Sequence, residues 1–301
     1  MTNATRRRSG PHALVSAMRP RQWVKNGVIV VAPGAAGVLK HHDVMVQTIV
    51  AIVAFCLVSS SMYLLNDLRD AEADRHHPTK RHRAIAAGEL RTPVAVVASV
   101  VLLLAGMLLP LTINRPGGLI LVLGLYVVVT LSYILWLKTM AIIELGILAS
   151  GFFLRAYAGA VASHLRVSEW FLVVISFGAL FLVIGKRSSE LRKVGVGETR
   201  KVLADYTEEF LHSALTMCAT VVVTGYCLWA FDTSSTGLSS IRHDQVPIRL
   251  SVVPVVFAIL FIMRSADAGD GAAPEELLLH NRTVQVLAVL WAVAVAFGIY
   301  V

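Results

Sequence analysis

The stretch Asn66-Asp67-Leu68-Arg69-Asp70-Ala71-Glu72-Ala73-Asp74 places four carboxylates in nine residues, directly after an apolar run that begins near Val44. A carboxylate at the end of a membrane helix costs free energy unless a cation offsets it, so this crowding needs a chemical reason. If the helix continues, Asn66, Asp70 and Asp74 recur at i, i+4 and i+8. Asp67 then lies beside Asp70 and Asp74, and all four share one face. An oxygen-rich face of this kind suits Mg2+, which takes a few carboxylates and keeps its other positions for water and phosphate oxygens. The alternative is a capped, solvated helix end with no ligand.

The surrounding chain is a membrane protein by composition. Of 301 residues, 56% are hydrophobic and only 15% charged, with a mean hydropathy of +0.70. Soluble domains carry about a quarter charged residues. Nine runs are span candidates by length: roughly 24–39, 44–65, 94–112, 117–137, 140–162, 168–185, 212–232, 247–263 and 283–301. The expected fold is all-α and polytopic, with nine transmembrane helices in a bundle. Residues 1–22 read as an N-terminal segment and 23–301 as one transmembrane domain. Pro33 and several glycines leave the ends of the first span uncertain. The charged N-terminus lacks the apolar stretch of a cleaved signal peptide, and neither end carries a lipidation motif. Cys56, Cys218 and Cys227 all fall in apolar runs and read as small core residues.

Charge placement sets the orientation. Of the 27 Lys and Arg, 21 precede span one or lie between spans two and three, four and five, six and seven, and eight and nine. Five lie on the other side, and Arg155 is inside a span. The positive-inside rule then puts the N-terminus and the Asp-rich stretch in the cytoplasm and the C-terminus outside, in a plasma membrane. No basic patch alternates with aromatic residues, so a nucleic-acid partner is not expected. The two long charged connections, 66–93 and 186–211, follow spans two and six, which suggests two related bundles over one mouth. His76 and His77 are adjacent, point apart on a helix and lack a spaced partner, so they read as solvated loop residues.

Three groups converge on that mouth when the spans are drawn as a bundle. One is the acidic face of Asn66, Asp67, Asp70 and Asp74. The second is cationic: Lys25, Lys80, Arg81, Arg83, Lys138, Lys186 and Arg187. The third is intramembrane: Glu144 and Arg155, eleven residues apart on span five, share a face about 16 Å apart along the axis. An Arg inside a span faces protein interior or a polar cavity, either as a helix-to-helix tie or as part of a site. Tyr63, one turn before Asp67, can line the same cavity or sit as an interfacial aromatic. Carboxylates beside many fixed cations point to a metal plus polyphosphate, although no Walker-type glycine loop is present. A cavity open to the cytoplasm and flanked by lipid suits one water-soluble and one lipid substrate.

The motif Asn66-Asp67-x-x-Asp70-x-x-x-Asp74 at the end of span two, with nine spans, resembles the UbiA-type intramembrane prenyltransferases. Supporting stretches are Arg19-Pro20-Arg21-Gln22-Trp23-Val24-Lys25-Asn26, Tyr63-Leu64-Leu65, His77-Pro78-Thr79-Lys80-Arg81, Ile143-Glu144, Leu154-Arg155-Ala156 and Gly185-Lys186-Arg187 with Glu190. Leu228-Trp229-Ala230-Phe231 and Pro274-Glu275 also fit. Within that family the likeness is to the members that move a phosphoribosyl group onto a polyprenyl (decaprenyl) phosphate for cell-wall arabinan synthesis. One departure supports this branch. Typical members carry a second Asp-rich motif after span six, where this chain has Lys186-Arg187-Ser188-Ser189-Glu190. A pocket for a diphosphate, a 5′-phosphate and a lipid phosphate needs more Lys and Arg and fewer Asp.

The resemblance implies substitution at ribose C1 of phosphoribosyl pyrophosphate. Mg2+ on Asp67 and Asp70, with Asn66 and Asp74 close by, would hold the diphosphate. Lys80, Arg83 and Lys138, with Lys186 and Arg187 near, would bind the donor's phosphates. Lys25 and Arg155 would take the lipid phosphate. An aromatic prenyltransferase is the nearest rival and the basic replacement argues against it. An ion or anion transporter would carry its charge along a path through the bilayer rather than at one mouth. The glycines of span five, Gly146, Gly151 and Gly159, permit close helix contacts within one chain or in a homo-oligomer.

Overall fold

The computed structural model describes residues 10–194, 201–232, 245–269 and 281–301. All regular secondary structure among the described residues is helical, with no strand. The elements run α1 (Gly10–Met18), a 3-10 segment (Pro20–Val30), α2 (Val31–Ala35), α3 (His42–His76), α4 (Thr92–Leu108), α5 (Gly117–Leu135), α6 (Ile143–Ala162), α7 (Glu169–Val194), α8 (Glu208–Phe231), α9 (Gln245–Leu250), α10 (Val252–Asp267) and α11 (Arg282–Tyr300). Among the described residues eight helices are long and apolar enough to cross a membrane, and they cover the second to ninth expected spans. The chain is a multi-pass membrane protein.

The first expected span, 24–39, has a different form. It is the 3-10 segment followed by the five-residue α2. Gly27, Pro33, Gly34 and Gly37 keep the α-helix from propagating. At about 2 Å per 3-10 residue, the two pieces together still extend roughly 30 Å. Irregular backbone is tolerated at membrane depth only where protein covers it. Here α6 provides the cover: a Cβ on Gly159 would stand 1.9 Å from the Ile29 carbonyl oxygen, so this approach requires glycine.

Helix α3 is 35 residues long because no Gly or Pro interrupts it, and it ends one residue before His77-Pro78. It is about 50 Å long against a hydrocarbon core of about 30 Å, so an end must project into water. The projecting C-terminal end carries the Asp-rich stretch. Helix α8 is capped by Thr207, whose side chain accepts the Phe210 amide, and Glu208 and Glu209 in the first turn complement the positive end of the helix dipole.

The bundle has inner and outer helices. The apolar stretches of α3 and α6 are more than half buried in protein; those of α4, α5, α10 and α11 are less than one third buried. The outer helices turn residues such as Val97, Leu121, Phe257 and Val289 outward, as lipid contact requires. Lipid offers apolar residues no advantage in leaving it, so close packing and hydrogen bonds hold the helices together. Gly106 of α4 sits against Val58 and the Ala54 carbonyl of α3, and Ser61 donates to the Ser99 carbonyl at 2.7 Å. Helix α6 belongs to both cores: Leu154 and Ala158 pack with Phe55, Met62 and Leu123, while Leu145 and Ala149 pack with Phe181, Leu211 and Leu215.

Candidate active site

Between these two cores, where α3, α5 and α7 end and α6 begins, lies a cavity of about 660 Å3. Eight cations line it: Arg19, Lys25, Lys80, Arg83, Lys138, Arg155, Lys186 and Arg187. Three carboxylates, Asp70, Asp74 and Glu190, share the wall, and Asn66 and Tyr63 face the same space. Two of the residues expected at the site, Asp67 and Glu144, stand behind the wall: both are buried, and neither lines the cavity. Counting both, the eight cations still outnumber five carboxylates, so the space favours a polyanion.

The acidic end of α3 is tied to its neighbours. Asp67 accepts hydrogen bonds through Oδ1 from Arg19 and, at 3.1 Å, from Arg83 Nη1. The same Arg83 nitrogen donates to Asp74 Oδ2 at 2.7 Å, and Lys138 Nζ donates to Asp70 Oδ1 at 2.6 Å. Arg19 also lies over the Tyr63 ring, 5.0 Å from its centroid. Each of Asp70 and Asp74 keeps its second oxygen clear of hydrogen bonds among the described residues.

The basic end of α7 has the opposite arrangement. Arg187 donates from Nε and Nη2 to the two Glu144 oxygens at 2.7 and 2.8 Å, and from Nη1 to Glu190. Its charge is therefore answered by two carboxylates, although its side chain borders the cavity. Lys186, next in the chain, lines the cavity without an ion pair among the described residues.

Arg155 occupies the deep end. It is 5% exposed and is held by Asn26 Oδ1 at 2.7 Å, the Gly151 carbonyl at 2.7 Å and the Tyr126 hydroxyl at 3.0 Å. Tyr126 and Phe55 also present ring faces to the guanidinium, at 4.8 and 5.8 Å. All these partners are neutral. A buried cation satisfied only by neutral groups leaves its charge available to an anion entering the cavity.

The arrangement fits Mg2+ with a shared ligand set. Among the described residues no three His, Cys, Asp or Glu side chains cluster closely enough to hold a metal by themselves. Mg2+ needs only one or two carboxylates when phosphates and waters complete its shell, and Asp70 and Asp74 offer oxygens to the cavity.

Several contributing residues carry weaker sequence signals. Arg19 is one residue before Pro20 and adopts a left-handed backbone, φ 54°, that turns the chain from α1 into the 3-10 segment. Asn26 and Tyr126 are polar groups within apolar runs, and a buried Arg155 needs such partners. Gln22, His77, Thr130, Tyr133 and Thr139 complete much of the polar lining.

Residues 27–282 match the UbiA prenyltransferase family, and the chain belongs to that family. It is 40% identical over 294 residues to the decaprenyl-phosphate phosphoribosyltransferase of Corynebacterium glutamicum, an alignment covering 96% of this chain and 87% of the relative. It is also 40% identical over 301 residues to the enzyme of the same name from Mycobacterium tuberculosis, with 95% of each chain covered. Among solved structures, a UbiA homologue from Archaeoglobus fulgidus bound to GPP and Mg2+ superposes with a TM-score of 0.69 at 14% identity, covering 95% of this chain and 98% of that one.

Proposed function

We propose that this protein transfers the 5-phosphoribosyl group of phosphoribosyl pyrophosphate to a polyprenyl phosphate, decaprenyl phosphate by analogy with its relatives, and releases diphosphate. The observation that carries this reading is the excess of cations over carboxylates in the cavity, extending inward to Arg155. An aromatic acceptor would leave much of that charge unanswered. The names of the 40%-identical relatives support the same reaction.

Asp70 and Asp74, with Asn66, would hold Mg2+ against the donor's diphosphate, and the bound metal would stabilise negative charge on the leaving group. Lys138, Lys80 and Arg83 bind the donor's phosphates, with Lys186 opposite. Arg155 and Lys25 hold the lipid phosphate at the deeper end. The lipid phosphate oxygen forms the new bond to ribose C1 as the bond from C1 to the diphosphate oxygen breaks. A phosphomonoester has a second pKa of about 6, so the nucleophile is already mostly dianionic at neutral pH and needs no strong base. Asp67 and Glu144 take supporting parts: Asp67 orients Arg19 and Arg83, and Glu144 fixes Arg187. Residues 23–301 form one transmembrane domain in which 24–39 crosses as a broken first span, and the preceding segment adds Arg19 to the cavity. The N-terminus and the cavity mouth face the cytoplasm at the plasma membrane.

The test is to incubate the purified full chain with labelled phosphoribosyl pyrophosphate, polyprenyl phosphate and Mg2+ and follow label into the organic phase. Transfer to the lipid is the expected result. No transfer, with prenyl transfer from a prenyl diphosphate to an aromatic acid instead, would overturn the reading.

A further inference from the structure

Ile142 has φ 66° and ψ −49°. A β-branched residue rarely adopts a positive φ. Ile142 is the middle of a three-residue turn closed by the Ile143 amide on the Ala141 carbonyl at 2.7 Å, a rare and strained γ-turn. Strain of this kind persists only where the surroundings over-determine it. The Ile142 amide donates to the Tyr206 hydroxyl at 2.8 Å.

Tyr206 reaches this turn from a distant part of the chain, between the 3-10 turn Lys201–Asp205 and α8. It is buried, as are Val202 and Leu203, and Val202 itself lines the cavity. The phenol is thus a fixed acceptor. Burial pushes its hydroxyl above the usual tyrosine range, so it keeps its proton at working pH.

Two parts of the site flank the turn. Four and three residues upstream, in the 3-10 turn Leu137–Thr139, Lys138 and Thr139 line the cavity. Two residues downstream is Glu144, which holds Arg187 through both its oxygens.

We infer that Tyr206 is a positioning residue for the donor half of the site: by holding the Ile142 amide it fixes the connection between α5 and α6, and with it the reach of Lys138 and Thr139 into the cavity. The inference rests on the proposed reading of Lys138 as a ligand of the donor's phosphates.

The experiment uses the full chain in detergent. Tyr206→Phe keeps the ring and removes the acceptor. The KM for phosphoribosyl pyrophosphate should rise about three- to tenfold, the worth of one hydrogen bond, with kcat and the KM for polyprenyl phosphate unchanged and the melting temperature nearly so. Glycine adopts positive φ freely, so adding Ile142→Gly should bring the donor KM back toward the wild-type value. In a Lys138→Ala background, which itself raises the donor KM, Tyr206→Phe should add much less than it does in the wild-type chain. Equal changes for both substrates, or additive effects of Tyr206→Phe and Lys138→Ala, would overturn the inference and leave the proposed reaction standing. Binding of inorganic diphosphate with Mg2+, measured by calorimetry, reads the same lysine without turnover. It should weaken by a similar factor in Tyr206→Phe even if the wild-type chain transfers no phosphoribosyl group, a result that would sink the proposed function alone. Unchanged diphosphate binding would sink the positioning role.

Discussion

The ends of α3 and α7 are built alike with the charges exchanged. At the end of α3 a buried aspartate, Asp67, is held by two arginines, Arg19 and Arg83. At the end of α7 a buried arginine, Arg187, is held by two glutamates, Glu144 and Glu190. In each case the buried ion fixes helix ends, and its neighbours in the chain face the cavity: Asn66 and Asp70 on one side, Lys186 on the other. A site that binds a metal and several phosphates, as proposed, would meet them with one wall of each sign. The difference lies in burial. The side chains of Arg187 and Glu144 are 4% and 0% exposed, whereas those of Arg19 and Arg83 are 28% and 25% exposed.

That difference can be broken by substitution. Glu144→Ala leaves Arg187 buried beside Glu190 alone. Removing one partner of a buried pair costs about 3–5 kcal/mol, so thermal unfolding in detergent should show a large loss of stability. Asp67→Ala should cost less, because its arginines can turn to water. Equal losses would mean that the two ends do not differ as their burial suggests. Asp70→Ala tests the wall itself. Turnover should fall at least about 100-fold, close to 3 kcal/mol of barrier, with the melting temperature preserved. A variant that melts normally and retains near-normal turnover would remove Asp70 from the metal assignment. Lys186→Ala is the smallest change. The KM for phosphoribosyl pyrophosphate should rise about tenfold, or 1.4 kcal/mol, with little effect on kcat. No change in KM would leave the α7 wall with a structural role only.

Hydropathy made most of the fold legible. Eight apolar runs became long helices, because twenty apolar residues without a breaker have few other options in lipid. Helical spacing also placed Glu144 and Arg155 on one helix, and both are buried. What each one meets depends on residues 43 and 129 positions away, and local periodicity carries no such information. Lys186 and Arg187 look equivalent in the sequence because both are basic and adjacent. Successive residues on a helix point about 100° apart, so both border the cavity but only Arg187 meets a pair of glutamates. The 3-10 form of residues 20–30 was also hidden: their composition gives breakers, but the stability of an irregular strand of chain inside a bundle comes from what covers it.

That cover depends on a single hydrogen atom. At Gly159 the ordinary side chain of every other residue would begin where the Ile29 carbonyl already is. Seating even a methyl group there would require the segment to retreat by about 1 Å, which is enough to disturb catalytic geometry. Lys25 and Asn26 are carried on that segment, and Asn26 grips Arg155. The spacing between Lys25 and Arg155, two of the cavity's cations, is therefore calibrated by a residue that contributes no atom to the cavity.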